Sequence, residues 1–198
     1  MGSAHSRADP QPGAAVAPVH RVKILVAGPF GVGKTSLIGS VSEVAPVSTE
    51  ERITQASEGV DDLVGIGAKT ATTVTLDFGR LSLGDGIVLY LFGTPGQERF
   101  RPLWQDLAVG AWGALVLVDV RRLEASFDAL ALIEDLGLPH AVAVNAFPDS
   151  PRHSEGALRG ALDLEDHTPL VVCDARETDS CVDALLALIH LLISRAAL

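Results

Sequence analysis

The stretch that decides the fold is "GPFGVGKTS", residues 28–36, directly after the apolar run "VKILVA", residues 22–27. Glycines at 28, 31 and 33 let successive backbone N–H groups turn inward around phosphate oxygens. A helix beginning at the end of such a loop adds its positive end to the same place. Lys34 supplies a mobile cation for the β and γ phosphates, and Thr35 supplies a hydroxyl for Mg²⁺. The order of apolar strand, glycine-rich loop and helix is the context a phosphate loop requires. Gly28, Phe30, Gly31, Val32, Gly33, Lys34, Thr35 and Ser36 are therefore the first candidate nucleotide-binding residues.

Working outward, the remaining chain alternates between strand and helix patterns. Six segments read as strands: "RVKILVA", "TVTLDFGRLSL", "IVLYLFG", "GALVLVDV", "HAVAVNAF" and "PLVVCDA". Five read as helices: "GKTSLIGSVSEV", "ERFRPLWQDLAVGA", "RRLEASFDALALIEDLG", "SEGALRGALDL" and "SCVDALLALIHLLISRAA". The second and third strands flank Gly-Asp-Gly, a hairpin signal. Four of the strands are continuous apolar runs, as expected when helices cover both sheet faces. The pattern predicts an α/β fold of three layers, a six-stranded mostly parallel sheet with one antiparallel strand and five helices. Ligand then belongs at the carboxyl ends of the strands. The polar, glycine-containing segment at residues 48–72 has no steady period and reads as a long mobile loop. Residues 1–20 are rich in Ala, Pro, Gly and Ser and read as a disordered tail, leaving residues 21–198 as one domain.

The chain has 198 residues, a net charge of −10 and 47% apolar residues, which fits a globular domain with a buried core. Such an acidic balance argues against a nucleic-acid partner and against direct electrostatic attachment to an anionic membrane. Cys173 and Cys181 make neither a disulfide framework nor a metal knuckle, and read as reduced thiols in a cytoplasmic protein. Any membrane contact is expected to be indirect, made through partners. The last helix is apolar almost all round in "LLALIHLLI", which a buried position explains. His190 reads as a packed or surface histidine.

"FGTPGQERF", residues 92–100, resembles the second switch of Ras-like GTPases, in which Asp-x-x-Gly-Gln-Glu is the pattern. Gly96, Gln97 and Glu98 fall on its Gly-Gln-Glu, and Gln97 is by that resemblance the catalytic residue that orients the attacking water. "TTVTLDF" before it resembles the end of the first switch, with Thr73 at the threonine that meets Mg²⁺ and the γ-phosphate. Over residues 21–198 the chain looks most similar to the Ras-like GTPases of bacterial conservon operons, relatives of gliding-motility GTPases, through "FGVGKT", "TVTLDFGR", "LYLFGTPGQERF", "VAVN" and "CDAR". The resemblance implies GTP or GDP as ligand, Mg²⁺ as cofactor, slow hydrolysis, and Roadblock-type proteins and a sensor kinase as partners.

Three departures qualify that resemblance. Gly93 stands where Ras proteins carry the Asp that orders Mg²⁺, so Asp77 on the adjacent strand is the candidate to join Thr35 and Thr73 at the metal. Phe30 stands where Ras carries glycine; it either leans over the γ-phosphate and obstructs a partner's arginine, or packs against a switch. The base-reading motif Asn-Lys-x-Asp keeps Asn145 but has Ala146 and Pro148 at its Lys and Asp positions. Asp174, or else Asp149, is the candidate acceptor for the base. Ala175 is expected to offer its backbone N–H to guanine O6, Arg176 to cover the ring and Phe147 to stack on it. Arg99 and Arg101 are candidates for a finger in cis, read mainly as solvated. The alternatives are a nucleotide-bound scaffold that does not cycle and an ATP-using P-loop enzyme.

Overall fold

The computed structural model describes residues 19–45, 49–53, 72–84, 86–96 and 101–196. Strand β1 (His20–Ala27) leads through the phosphate loop into helix α1 (Lys34–Val41). Strands β2 (Thr49–Ile53) and β3 (Thr72–Leu76) pair with each other, and β4 (Phe78–Leu83) and β5 (Ile87–Gly93) form the hairpin. Then come α2 (Arg101–Ala108), β6 (Gly113–Val118), a 3₁₀ helix (Val120–Ser126), α3 (Phe127–Asp135), β7 (His140–Asn145), α4 (Glu155–Ala161), β8 (Leu170–Cys173) and α5 (Thr178–Ala196).

The main sheet has six strands in the order β4-β5-β1-β6-β7-β8. Only β4 runs antiparallel to its neighbour; β5, β1, β6, β7 and β8 are parallel. Side chains alternate across a strand, so each central strand feeds two cores. Ile24 and Val26 of β1, Leu115 and Leu117 of β6, and Ala141 and Ala143 of β7 face α1 and α5. Leu25 and Ala27, Val116 and Val118, and Val142 and Val144 face Trp104 and Leu107 of α2, Leu130 and Ile133 of α3, and Leu158 of α4. That two-sided burial is why these strands read as unbroken apolar runs. The architecture is the expected three-layer α/β fold.

Two strand segments differ from their sequence reading. The polar segment expected to be loop contains β2, antiparallel to β3, with Glu51 opposite Val74 and Arg52 opposite Thr73. Thr-Glu-Glu-Arg-Ile has no apolar alternation, so nothing in its pattern announces a strand; its partner's backbone supplies the order. The run expected as one strand over residues 73–83 is two, broken at Asp77. Here the chain leaves the β2–β3 ribbon and enters the main sheet, and the Asp77 carbonyl accepts from Gly93 N at 2.8 Å.

The helix expected to begin at Arg121 starts as 3₁₀ turns instead. Buried Asp119 caps it by accepting from Arg121 N at 3.0 Å, and Arg122 breaks the helical path at φ −146°, ψ 55°. Helix α5 is a core helix, burying Cys181, Ala184, Leu185, Leu188, Ile189 and Leu192, and its His190 is exposed. No helix among the described residues is long and apolar enough to cross a membrane.

Candidate functional site

The carboxyl ends of β1, β6, β7 and β8 carry the phosphate loop, Asp119, Asn145 and Asp174 to one edge of the sheet. Gly33 ends the loop as the α1 N-cap, at φ 108°. A Cβ there would lie 2.6 Å from Asn145 Nδ2 and 3.3 Å from the Ala175 Cβ. Glycine is thus required by both backbone and space.

Lys34 is buried at the first position of α1, and its Nζ donates to the carbonyls of Gly28 at 2.8 Å and Pro29 at 2.9 Å. Burial pushes its pKa down to about 8, against a smaller upward pull from the Asp77 charge. The two loop carbonyls hold the ammonium at the mouth of the phosphate loop.

Thr35 is exposed beside it, and its Oγ1 donates to Asp77 Oδ2 at 2.6 Å across 42 residues of chain. Committing the hydroxyl hydrogen to a carboxylate leaves the oxygen lone pairs free for a cation. A Cβ on Gly93 would lie 2.9 Å from Asp77 Cβ and 3.2 Å from Asp77 Oδ2. The missing side chain at 93 and the carboxylate at 77 thus contend for one space, and only one position carries an acid. Thr35 and Asp77 are hard oxygen donors of the kind Mg²⁺ takes. Among the described residues no group of three or more His, Cys, Asp or Glu is arranged to hold a metal, so an ion held by Thr35 and Asp77 would draw its remaining ligands from water and phosphate.

Thr73 lies in β3, four positions before Asp77. Gly96 follows β5 with its Cα against the loop, since a Cβ there would lie 2.6 Å from Phe30 N and 2.8 Å from Phe30 Cα. Gln97, the expected catalytic residue, and Arg99 lie outside the described residues; Arg101 opens α2. The Phe30 side chain is 72% exposed rather than buried in a core. Val32 is buried and Ser36 is exposed at the start of α1.

On the other flank, buried Asn145 ties three segments together. Its Nδ2 donates to Val32 O at 2.8 Å and its Oδ1 accepts from Ala175 N at 3.0 Å. Ala175 N–H, expected to serve a base, is thus given to Asn145. Asp174, expected as a free acceptor, is held by its neighbour: Arg176 donates from N and Nε to Oδ1 at 3.0 and 2.9 Å and from Nη2 to Oδ2 at 2.6 Å. These bonds pull the Asp174 carboxyl down to about 2. The expectation that Arg176 lies over a ring gives way, in this structure, to a fork gripping Asp174.

A cluster that the sequence reading missed stands next to Asn145. Asp119 is fully buried at the end of β6 and grips Arg121 through Oδ1 to Nε at 2.9 Å and Oδ2 to Nη2 at 2.8 Å. The Arg121 guanidinium lies 3.7 Å from the Phe147 ring centroid, a cation–π contact on a ring expected to stack on a base. Arg122 Nη2 donates to the Phe30 carbonyl at 3.4 Å. The visible signal was "VDVRR": one acid ending an apolar strand, followed by two arginines.

The family described as "Conserved hypothetical ATP binding protein" matches residues 26–195. The chain is 27% identical over 126 residues to the uncharacterized protein MJ1339 of Methanocaldococcus jannaschii, covering 63% of this chain and 69% of that one. It is 35% identical over 113 residues to the Ras-related protein Rab-18 of Caenorhabditis briggsae, covering 57% of this chain and 47% of that one. The matched region thus spans less than half of that Ras-related protein. Among solved structures, the G domain of the T. maritima FeoB iron transporter superposes with a TM-score of 0.63 at 17% identity, covering 87% of this chain and 99% of that one. The FeoB G domain from Methanococcus jannaschii does so with a TM-score of 0.61 at 12% identity, covering 87% and 97%. The fold is accordingly that of small G domains, and the chain is a P-loop protein that belongs to the conserved hypothetical ATP binding protein family.

Proposed function

We propose that the protein is a guanine-nucleotide switch that binds GTP and GDP with Mg²⁺ and hydrolyses GTP slowly. The observation that carries this reading is the 2.6 Å bond from Thr35 to Asp77 beside the empty Cβ position of Gly93. It rebuilds, from a different strand, the carboxylate behind the loop hydroxyl that the departure at Gly93 removes. In this reading Lys34 holds the β and γ phosphates, and Thr35, Thr73 and Asp77 hold or support the ion, which supplies neutralisation of phosphate charge when bound. Gln97 orients the attacking water. The Phe30 side chain, exposed on the phosphate loop, supports the reading in which it leans over the γ-phosphate, leaves little room for a partner's guanidinium and keeps hydrolysis slow. Contacts of the γ-phosphate with Thr73 and Gln97 distinguish the GTP state from the GDP state, and partners read that difference. By the conservon resemblance those partners are Roadblock-type proteins and a sensor kinase, the setting is cytoplasmic, and residues 21–198 act as one G domain.

The test is Mg²⁺ dependence. In Asp77→Ala, GTP binding should lose most of its sensitivity to EDTA, with the fold intact by circular dichroism. Unchanged sensitivity would sink the metal assignment. A second reading, an ATP-binding protein, is favoured by the family description and by the engaged Asp174 carboxylate. Nucleotide extracted from the purified protein separates the two.

A further inference from the structure

We propose that the protein reads its nucleotide base on the O6/N7 edge with the Arg176 guanidinium, instead of on the N1–H/N2–H edge with a carboxylate. The inference rests on the guanine-nucleotide reading above and adds to it the residue that selects the base.

A carboxylate that grips N1–H and N2–H needs two free acceptor sites, one on each oxygen. A carboxylate offers about four such sites in all. At Asp174, Arg176 fills three of them, two on Oδ1 and one on Oδ2. At Asp119 the backbone N, Nε and Nη2 of Arg121 fill three as well, and the group is fully buried. Pro148 has no side-chain acceptor. Exposed Asp149 faces the Arg121 charge. The Asn145 amide places one N–H on Val32 and accepts Ala175 N–H on its oxygen, so Ala175 N–H is taken and Asn145 keeps one N–H and one lone pair. The carboxylates beside the β6 and β8 ends, Asp119 and Asp174, are therefore nearly spent, and Asp149 is left as the acceptor that the measurement below has to exclude.

Donors are not. A guanidinium carries five N–H groups in a planar fork. Arg176 places one Nε–H and one Nη2–H on Asp174, so three side-chain N–H groups remain, on a side chain that is 62% exposed. Asp174 fixes the plane of the fork. The loop that carries it packs on the base of the phosphate loop, where the space for a Cβ on Gly33 ends 3.3 Å from Ala175. A fixed guanidinium fork matches the paired acceptors O6 and N7 of guanine. Adenine presents an amino donor in place of O6 and is disfavoured by the same fork. Hypoxanthine keeps O6 and N7 and lacks only the 2-amino group, which this site does not read.

The measurement is the affinity of full-length protein for GTP, ITP and ATP, each labelled on the ribose so that the base is untouched. GTP and ITP should bind within about twofold of each other, and ATP more weakly. Asp174→Asn should leave the GTP-to-ITP ratio near one. Adding Arg176→Ala in that background removes the fork without freeing a carboxylate. GTP and ITP should then weaken together by roughly five- to 150-fold, the loss of one bidentate base contact, while ATP changes little. Arg176→Lys should recover only part of that loss, because an ammonium has no fork. A tenfold preference for GTP over ITP in wild-type protein would overturn the inference, and its loss in Asp174→Asn or in Asp149→Asn would return base reading to that carboxylate. ATP binding equal to GTP in wild-type protein would overturn it too, leaving a nucleotide site without base selection. Failure of all three nucleotides to bind would overturn the nucleotide-switch reading itself.

Discussion

Lys34 shows how much one buried side chain controls. Its ammonium is desolvated by burial, and its pKa falls to about 8 from an ordinary value of 10.5. Between those values the unfolded chain holds a proton that the folded chain has released, so stability of the nucleotide-free protein should rise with pH across that window. Nucleotide affinity should run the other way. Phosphate needs the charged lysine, so affinity should fall towards tenfold per pH unit above about pH 8. Titrating a labelled nucleotide from pH 6.5 to 9.5 tests this, and Lys34→Ala should bind far more weakly with that slope gone. The carboxylate at Asp77 admits a sharper test. Gly93→Asp alone forces a Cβ to 2.9 Å from Asp77 Cβ and should damage Mg²⁺-dependent binding. Combined with Asp77→Gly it removes the contact with residue 77, leaving only the movable Ile38 Cδ1 at 3.2 Å, and restores an acid behind Thr35, so the double variant should recover much of that binding. A double variant worse than either single one would show that the two positions do not share one role.

At the scale of elements, the site is a junction of segments far apart in sequence. Asn145 joins the phosphate loop to the β8–α5 connection, across 113 residues on one side and 30 on the other. Asn145→Ala strands two backbone groups in a buried place, which should cost about 1–3 kcal/mol of stability. It should also weaken nucleotide binding by freeing the two loops from each other. Urea unfolding and nucleotide titration of the same variant measure both, and a stable variant with normal affinity would remove Asn145 from this role. The apolar runs of β1, β6 and β7 and the phosphate-loop pattern were readable in the chain because each is a local, contiguous signal. The β2–β3 ribbon was not, since a polar five-residue strand owes its order to pairing. The break at Asp77 was hidden for a related reason: Thr72–Leu76 and Phe78–Leu83 each look like strand, and only their different partners separate them.

Across the whole molecule, the two cores divide the helices between the faces of one sheet, and the candidate site lies along the edge where the parallel strands end. Helix α5 anchors one face, with Leu188 fully buried where it packs near Gly113. Leu188→Ala should lower unfolding free energy by about 2–5 kcal/mol, as expected for a large-to-small core change. If α5 acts only as a core element, nucleotide affinity per folded molecule should stay unchanged. Ligand works in the opposite direction: GTP at one hundred times its dissociation constant should add about 2.7 kcal/mol and raise the melting temperature. A melt unchanged by saturating Mg²⁺ and nucleotide would contradict the proposed switch.

What the sequence by itself determined is the class of the fold and the place of the phosphate loop. Glycine spacing, a lysine–threonine pair and apolar runs of strand length carry that information over a few neighbouring residues, and no distant contact is needed to read it. The tertiary structure alone decided which hydrogen-bonding groups are still free. Asp77 faces Thr35 because two strands and a helix meet there. Asn145 is anchored between Val32 and Ala175, and Asp119 is gripped by Arg121. Even Asp174, two residues from Arg176, is claimed only through the turn that brings the fork around. A residue's type sets how many donors and acceptors it has; the packed chain sets which of them a ligand can still find.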